Sequence, residues 1–598
     1  MGYVFHTPPT VSASGTRSLL LYSADGGVDY GAQGLSNGEK SDRAQNLWLS
    51  GGIITSRPAF AEIGETLPGV RHMAKEFSGV VLLHIGTVLY TFQNAAAVAI
   101  LRGLPDQKSV PVEFAGKLYL YCGGHIYCVD RTLAAKEVYP YAPLYAEGRQ
   151  STATSGNQVS GFKPNLLAPY VAVTFESERQ VNGSYGYRFP ADMDKTRHFD
   201  VYFEDRLVEE EELTVEETRF SFKTLKQTKE NSVKLCYYST ASAAKSGDTL
   251  AKCTVGVAFG GGTVTGTRVF LAGNPDESGV YYMSALGEPL AFYEGEGGSL
   301  GESAGGITAF SKQSGDLLVF TDCSVNRMSY QYQSEGGGYF STKAIHTGIG
   351  CDMPESVALA GNRTVFASST HGVYLVDSVA LFDRMNLVPL SHNITDSDGG
   401  KGFFAQSAAV RLAASACVYD RKYLLCMGDA AFVWDFGAAD YAGSDPGKAE
   451  KKLVWTEFDG LDGGRFCVCG ETLAAWKETE SGCKLLVRAA EGRGSVPFVL
   501  DSGGMDLGLP HVRKALCRFS AECKLSRKTV IHLSFYADGE RYFRAVVLVA
   551  PQKDGFARIC VTLPHQVQNR FRFVLSGDAA NVGFMNLRAD YRTMKKQR

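Results

Sequence analysis

The sequence predicts an all-β protein with a β-propeller-like core. Three observations predict it: one hairpin design recurs six times, glycine and aromatic residues crowd the chain, and helical periodicity is nearly absent. The 66 glycines in 598 residues exceed the usual share of about 7%, and 29 Tyr and 34 Phe accompany them. Frequent turns between short aromatic-rich runs are the composition of strands. The best helical windows are 72–77, which is too short, and 407–416, which reads equally well as a strand.

The hairpins follow in order. Residues 80–86 lead into 88–92, and 117–121 turn at Gly123 and Gly124 into 125–130. Residues 316–320 turn at Thr321 and Asp322 into 324–328, and 363–367 turn through Thr370, His371 and Gly372 into 373–376. Residues 422–426 turn at Gly428 and Asp429 into 431–435, and 465–469 turn at Gly470 and Glu471 into 472–476. A small or polar turn between apolar runs marks a hairpin. The later hairpins recur at roughly 40–60 residues, near the length of a four-stranded blade. Stacked β-sandwiches are the competing arrangement; radial packing of blades explains the recurrence better, because it leaves only short edges.

The expected organisation is an N-terminal arm with the first propeller strands (1–60), blades (61–144), an inserted β-sandwich (145–265), further blades (266–495) and a C-terminal β-sandwich (496–598). The insert is predicted from 170–175, 199–203 and 232–238, which interrupt the hairpin series, and its acidic run Glu209, Glu210, Glu211 and Glu212 reads as a solvated loop. The tract 260–267 reads as a linker returning from the insert, because its glycines lack the Gly-Lys-Ser/Thr ending of a phosphate loop. The C-terminal sandwich is predicted from alternation: Ile531/Leu533/Phe535, Phe543/Ala545/Val547/Val549, Ala557/Ile559/Val561 and Phe571/Phe573/Leu575.

A net charge of −3 gives the chain as a whole no electrostatic attraction to nucleic acid. The basic end Lys595, Lys596, Gln597 and Arg598 reads as a solvated tail. No N-terminal basic-then-apolar leader and no run of about 18 apolar residues is present, so synthesis in the cytoplasm and no membrane insertion are expected. The 14 cysteines are scattered, and the close pairs Cys122/Cys128 and Cys467/Cys469 lack a partner pair at zinc spacing, so buried free thiols are expected.

No catalytic, cofactor or metal residues are assigned. His125, His371 and His392 stand near turns and read as structural. The pattern G-x-S-x-G occurs around Ser299 and again around Ser303, but in a Gly/Ser-rich run without the strand–turn–helix of a nucleophile elbow. Asn393-Ile394-Thr395 matches a glycosylation acceptor by chance. A pair of carboxylates meeting in space for glycoside hydrolysis stays open.

The opening residues carry a recognisable order: Gly26-Gly27-Val28-Asp29, Leu35, Asp42 through Trp48, then Gly51-Gly52 and Ile53 through Pro58. With 268–274, 280–284, 289–293, 346–351, Ser356-Val357 and 372–374, this ordered set resembles the tail and neck β-propeller proteins of tailed bacteriophages, namely the hub, nozzle or packaged-DNA stabilisation proteins of short-tailed phages. The resemblance implies a non-enzymatic virion component without a cofactor, located in the tail or neck. It implies a ring of usually six copies below the portal, contacts with portal or adaptor and with fibre or spike proteins, and transient non-specific contact with packaged DNA. A host-surface glycan-binding or depolymerising tail protein is the alternative.

Overall fold

The computed structural model describes residues 16–21, 27–30, 41–50, 53–93, 96–151, 165–167, 169–176, 186–224, 228–240, 249–301, 305–331, 339–377, 386–395, 402–437, 453–461, 463–489, 494–507, 509–552 and 555–594. Leu35, Ser303, Gly26, Gly51, Gly52 and the basic tail 595–598 lie outside the described residues.

The chain is all-β, and its core, among the described residues, is a propeller of seven four-stranded antiparallel blades. The central strands of a blade are sandwiched between its neighbours, so they read as unbroken apolar runs rather than alternating ones. Val80–Ile85 of blade 1 and Lys422–Met427 of blade 6 are buried at every position. Each pair of adjacent blades shares one apolar cluster: Leu82, Leu89, Leu118 and Leu120 between blades 1 and 2, and Val81, Leu83, Trp476 and Leu485 between blades 7 and 1. The second cluster closes the ring.

Blades 1 and 2 occupy 71–102 and 110–138; blades 3, 4 and 5 occupy 255–299, 307–347 and 358–389; blade 6 occupies 415–458. Blade 7 takes three strands from 465–488 and its outermost strand, Phe60–Leu67, from near the N-terminus. The pairing of Ala61 with Val487 and Ile63 with Leu485 is therefore the latch of the ring. Five of the six expected hairpins are the second and third strands of blades 1, 2, 4, 5 and 6; the last is the first and second strands of blade 7. Blade 3 escaped the hairpin series because a 3-10 turn at Pro275–Glu277 replaces a tight turn between its second and third strands. The window 407–416 divides: Ser407 caps a five-residue helix, Ala408–Leu412, and blade 6 starts at Ser415.

Between blades 2 and 3 stands the insert. Its five-stranded sheet runs in the order 144–149, 170–175, 233–238, 199–203, 206–207, and a three-stranded sheet packs on it over Phe175, Tyr187, Phe220 and Leu235. Two expectations are corrected here. Val255–Gly260 is the first strand of blade 3, so the insert ends before it; the tract 260–267 is no linker but the turn of the first blade-3 hairpin, closed by Gly261 N–H donating to Gly266 O at 2.8 Å.

The range 1–60 is also corrected: among its described residues no propeller strand lies before Phe60. Arg17–Leu20, Leu47–Ser50 and Ile53–Ser56 join one sheet of the C-terminal sandwich, and Arg43–Gln45 joins the other. Ile54 and Leu47 are buried, so these strands complete a core that 496–598 cannot fill alone. Ile531, Leu533, Phe535, Ile559, Phe571, Phe573 and Leu575 all point into that core. The strand Arg43–Gln45 pairs with Trp455–Phe458 on one side and Pro497–Asp501 on the other, so blade 6 and the sandwich share one nine-stranded sheet.

Candidate functional site at the axis and the sandwich junction

Three places gather side chains that chemistry or binding could use. The first is the propeller axis. Glu355, in the 3-10 turn Pro354–Ser356 ahead of blade 5, bonds Arg71 of blade 1 at 3.1 Å and Arg465 of blade 7 at 3.3 Å. Blades 5 and 1 are three apart in a ring of seven, so these pairs cross the axis. Arg71 also reaches Glu478 at 3.2 Å and lies over the Trp476 ring at 5.4 Å. Lys108 stands in the field of Glu355 and Arg71, and its burial pushes its pKa down. Ion pairs thus link blades 1 and 7 to the turn ahead of blade 5, and Arg71 bonds both Glu355 and Glu478.

The second place lies between blades 1 and 2. His84 Nδ1 bonds Ser109 Oγ, its ring is 5.0 Å from that of His72, and His72 Nε2 bonds Asp106 at 2.6 Å. These residue types suit nucleophilic catalysis. His84 and Ser109 are 0% and 2% exposed, however, so the pair is closed off from solvent. Burial, reinforced by His72, lowers the His84 pKa to about 4. Burial also pushes the neighbouring Cys122 thiol up to about 11, where it is no nucleophile at neutral pH.

The third place is the junction. Asn46, at φ 56°, accepts from Arg57 Nε at 2.8 Å and from Asp459 N at 2.9 Å, and its amide donates to Pro497 O at 2.7 Å and to the Asp459 carboxylate. Arg57 donates further to Asp459 O at 2.9 Å and to Pro58 O at 3.1 Å, and lies over the Phe458 ring. Burial lowers its pKa to about 10. Gly27, at φ 71°, presses its backbone onto Trp455, where an added Cβ would meet the carbonyl oxygen at 2.5 Å. The Asn-aromatic strand and the Arg-Pro corner are therefore a weld between blade 6 and the sandwich.

Beside the weld, Asp42 has its pKa raised by burial and then by Asp501, while Arg572 Nε holds Asp501 at 2.8 Å. The cavity bordering Arg572 has a volume of about 10 Å³ and an apolar lining that includes Phe519, Phe535 and Phe573, room for about one water and none for a sugar ring.

The singled-out residues do not converge. His125 bonds Glu137 at 2.7 Å, and His371 Nδ1 meets the Thr370 hydroxyl at 2.9 Å. His392 begins a 3-10 turn, and Asn393 beside it is buried and donates to Leu453 O at 3.1 Å. Ser299 ends a strand, and its hydroxyl accepts from Gly301 N at 3.1 Å. All 14 thiols are free, and Cys560 alone is exposed. Among the described residues no group of three His, Cys, Asp or Glu could hold a metal ion, and no helix is long and apolar enough to cross a membrane. The axial and Ser–His contacts were missed in the sequence because each joins residues from separate blades or blade linkers; only the Asn46 to Pro58 order carried a local signal.

No protein-family model matches the chain, and no curated protein matches it in sequence. Among solved structures, the AfRom2 CNH domain is 8% identical over 73% of this chain and 100% of its own, with a TM-score of 0.33. The BBS1N chain of a complex with ARL6DN is 10% identical over 73% and 99%, with a TM-score of 0.31. An exo-beta-1,3-galactanase from Phanerochaete chrysosporium, solved with galactose, is 8% identical over 56% and 81%, with a TM-score of 0.18. Likeness this slight carries no argument, and the propeller is read from the strand pairing of the chain itself.

Proposed function

We propose that the chain is a non-enzymatic structural component of a tailed-bacteriophage tail or neck, one that assembles with copies of itself around a channel below the portal. The observation that supports this reading is that one segment of the ordered set that carries the resemblance, Asp42 to Pro58, is spent on architecture: Asn46 and Arg57 fix the sandwich to blade 6. A rigid joint between two β bodies suits a part that must hold its place in a shell under load. In this reading the genome passes between copies and not through any one propeller, whose axis Glu355 spans. Contact with DNA is transient, and anchoring of fibres or spikes falls to exposed surfaces of the same scaffold. The depolymerising alternative would need a carboxylate pair opening on a sugar-sized groove.

The test is mass spectrometry and particle reconstruction of purified virions or induced prophage particles from the source of the gene. The chain is expected at several copies per particle in the tail or neck. Intact particles lacking it would sink the proposal, as would release of reducing sugar from host wall material by the purified chain.

A further inference from the structure

We propose that the chain self-associates head to tail, the outer face of its C-terminal sandwich seating on the acidic edge of the insert in the next copy. The inference deepens the structural reading above and names the interface. It begins in the charge distribution. Residues 496–598 carry 17 Lys and Arg against 8 Asp and Glu, whereas the rest of the chain carries 43 against 55. A net charge of −3 therefore conceals a strongly basic sandwich on an acidic body.

The basic part offers a specific surface. Glu540–Val549 is the last strand of the nine-stranded sheet and, among the described residues, pairs on one side only, with Thr529–Ala537. On the outward face, Val530 stands opposite Leu548 and His532 opposite Val546; further along, Ser534 faces Arg544 and Tyr536 faces Arg541. Val530, Val546 and Leu548 are 43%, 60% and 64% exposed, and Arg541 and Arg544 are exposed beside them. One end of the face is apolar and the other cationic. Exposed apolar residues that adjoin one another, unlike single scattered ones, mark contact surfaces.

The insert offers the complement. Residues 204–217 run along its edge through a short strand, a 3-10 turn at Glu210–Glu212 and a second short strand. Leu207 and Val215 are 44% and 48% exposed there. Around them Glu204, Glu209, Glu210, Glu211 and Glu217 are exposed and make no ion pair among the described residues. An apolar-acidic edge thus matches an apolar-basic face in sign and in kind. The two surfaces are different patches of one chain, so their contact is heterologous and propagates until a rotation closes it into a ring.

The test is sedimentation velocity of the full chain over a concentration series at low and high salt. Reversible assembly that weakens with salt is expected. Val546→Asp, and separately Glu210→Lys with Glu211→Lys, should each raise the dissociation constant by about tenfold or more, with circular dichroism like that of the parent. Arg541→Glu with Arg544→Glu should also abolish assembly alone. Mixing that variant with the Glu210→Lys/Glu211→Lys variant should restore it, because the reversed signs again match. A chain that stays monomeric at every concentration, variants that assemble as the parent does, or a basic face that binds duplex DNA while assembly is untouched would each overturn the proposal. Particles that contain the chain while these variants assemble normally refute this interface alone; assembly through it by a chain absent from particles refutes the virion reading alone.

Discussion

At the scale of single residues, the weld is the most consequential group. Arg57 is a buried cation that donates to two backbone carbonyls and to the Asn46 side chain. Removing it takes the side-chain donor from the Asp459 and Pro58 carbonyls and leaves Asn46 Oδ1 only the Asp459 amide. Arg57→Ala is expected to cost about 3 kcal/mol, seen as a lower urea midpoint, and Arg57→Lys to recover only part of it because an ammonium cannot serve three acceptors in one plane. His84 sets a pH dependence. Its folded pKa of about 4 lies below the ordinary 6.5, so between those values the unfolded chain binds a proton that the folded chain refuses. The stability contribution is complete above pH 6.5 and is lost as pH falls toward 4, by up to about 3 kcal/mol. Denaturant midpoints across that window should fall, and His84→Gln should flatten the fall. The sequence showed a histidine inside an apolar run, which identified the strand; that Ser109 waits beside it depends on the linker between blades and is invisible locally.

At the scale of elements, legibility followed burial. Strands with both faces covered stand out as apolar runs, and five of the expected hairpins are the doubly covered pairs of their blades. Strands at the rim, such as Ala96–Arg102, are half exposed and carry no such signal. Phe60–Leu67 is the costly omission: its mixed exposure hides it, yet it closes the ring by pairing with Gly482–Arg488 across more than 400 residues of chain. That latch is testable. Ala61 and Val487 face each other in the register, a geometry that suits a disulfide. The double change Ala61→Cys and Val487→Cys should raise stability by about 2–4 kcal/mol under oxidising conditions, with the gain abolished by reductant. No gain on full cross-linking would mean that the ring does not open through this strand when it unfolds.

At the scale of the whole molecule, alternation was enough to find the C-terminal sandwich but not its missing strands. Nothing in 1–56 says that its short runs are completed by residues more than 400 positions away. The consequence is that 496–598 is not an independent unit. Expressed alone, it should be unfolded or aggregated by near-ultraviolet circular dichroism, and co-expression with 1–60 should rescue it. A well-folded isolated fragment would contradict this account. The same arrangement governs how the molecule bears tension. Arg17 pairs with Tyr591 and Leu20 with Arg588, so the first and last described strands run antiparallel with their outer ends together. A pull applied through those ends peels the pair open one hydrogen bond at a time, the weakest mode in which a sheet resists force. The first strand should therefore yield at small extension, as a mechanical fuse, while the ring of blades between the two attachment points stays unloaded and intact.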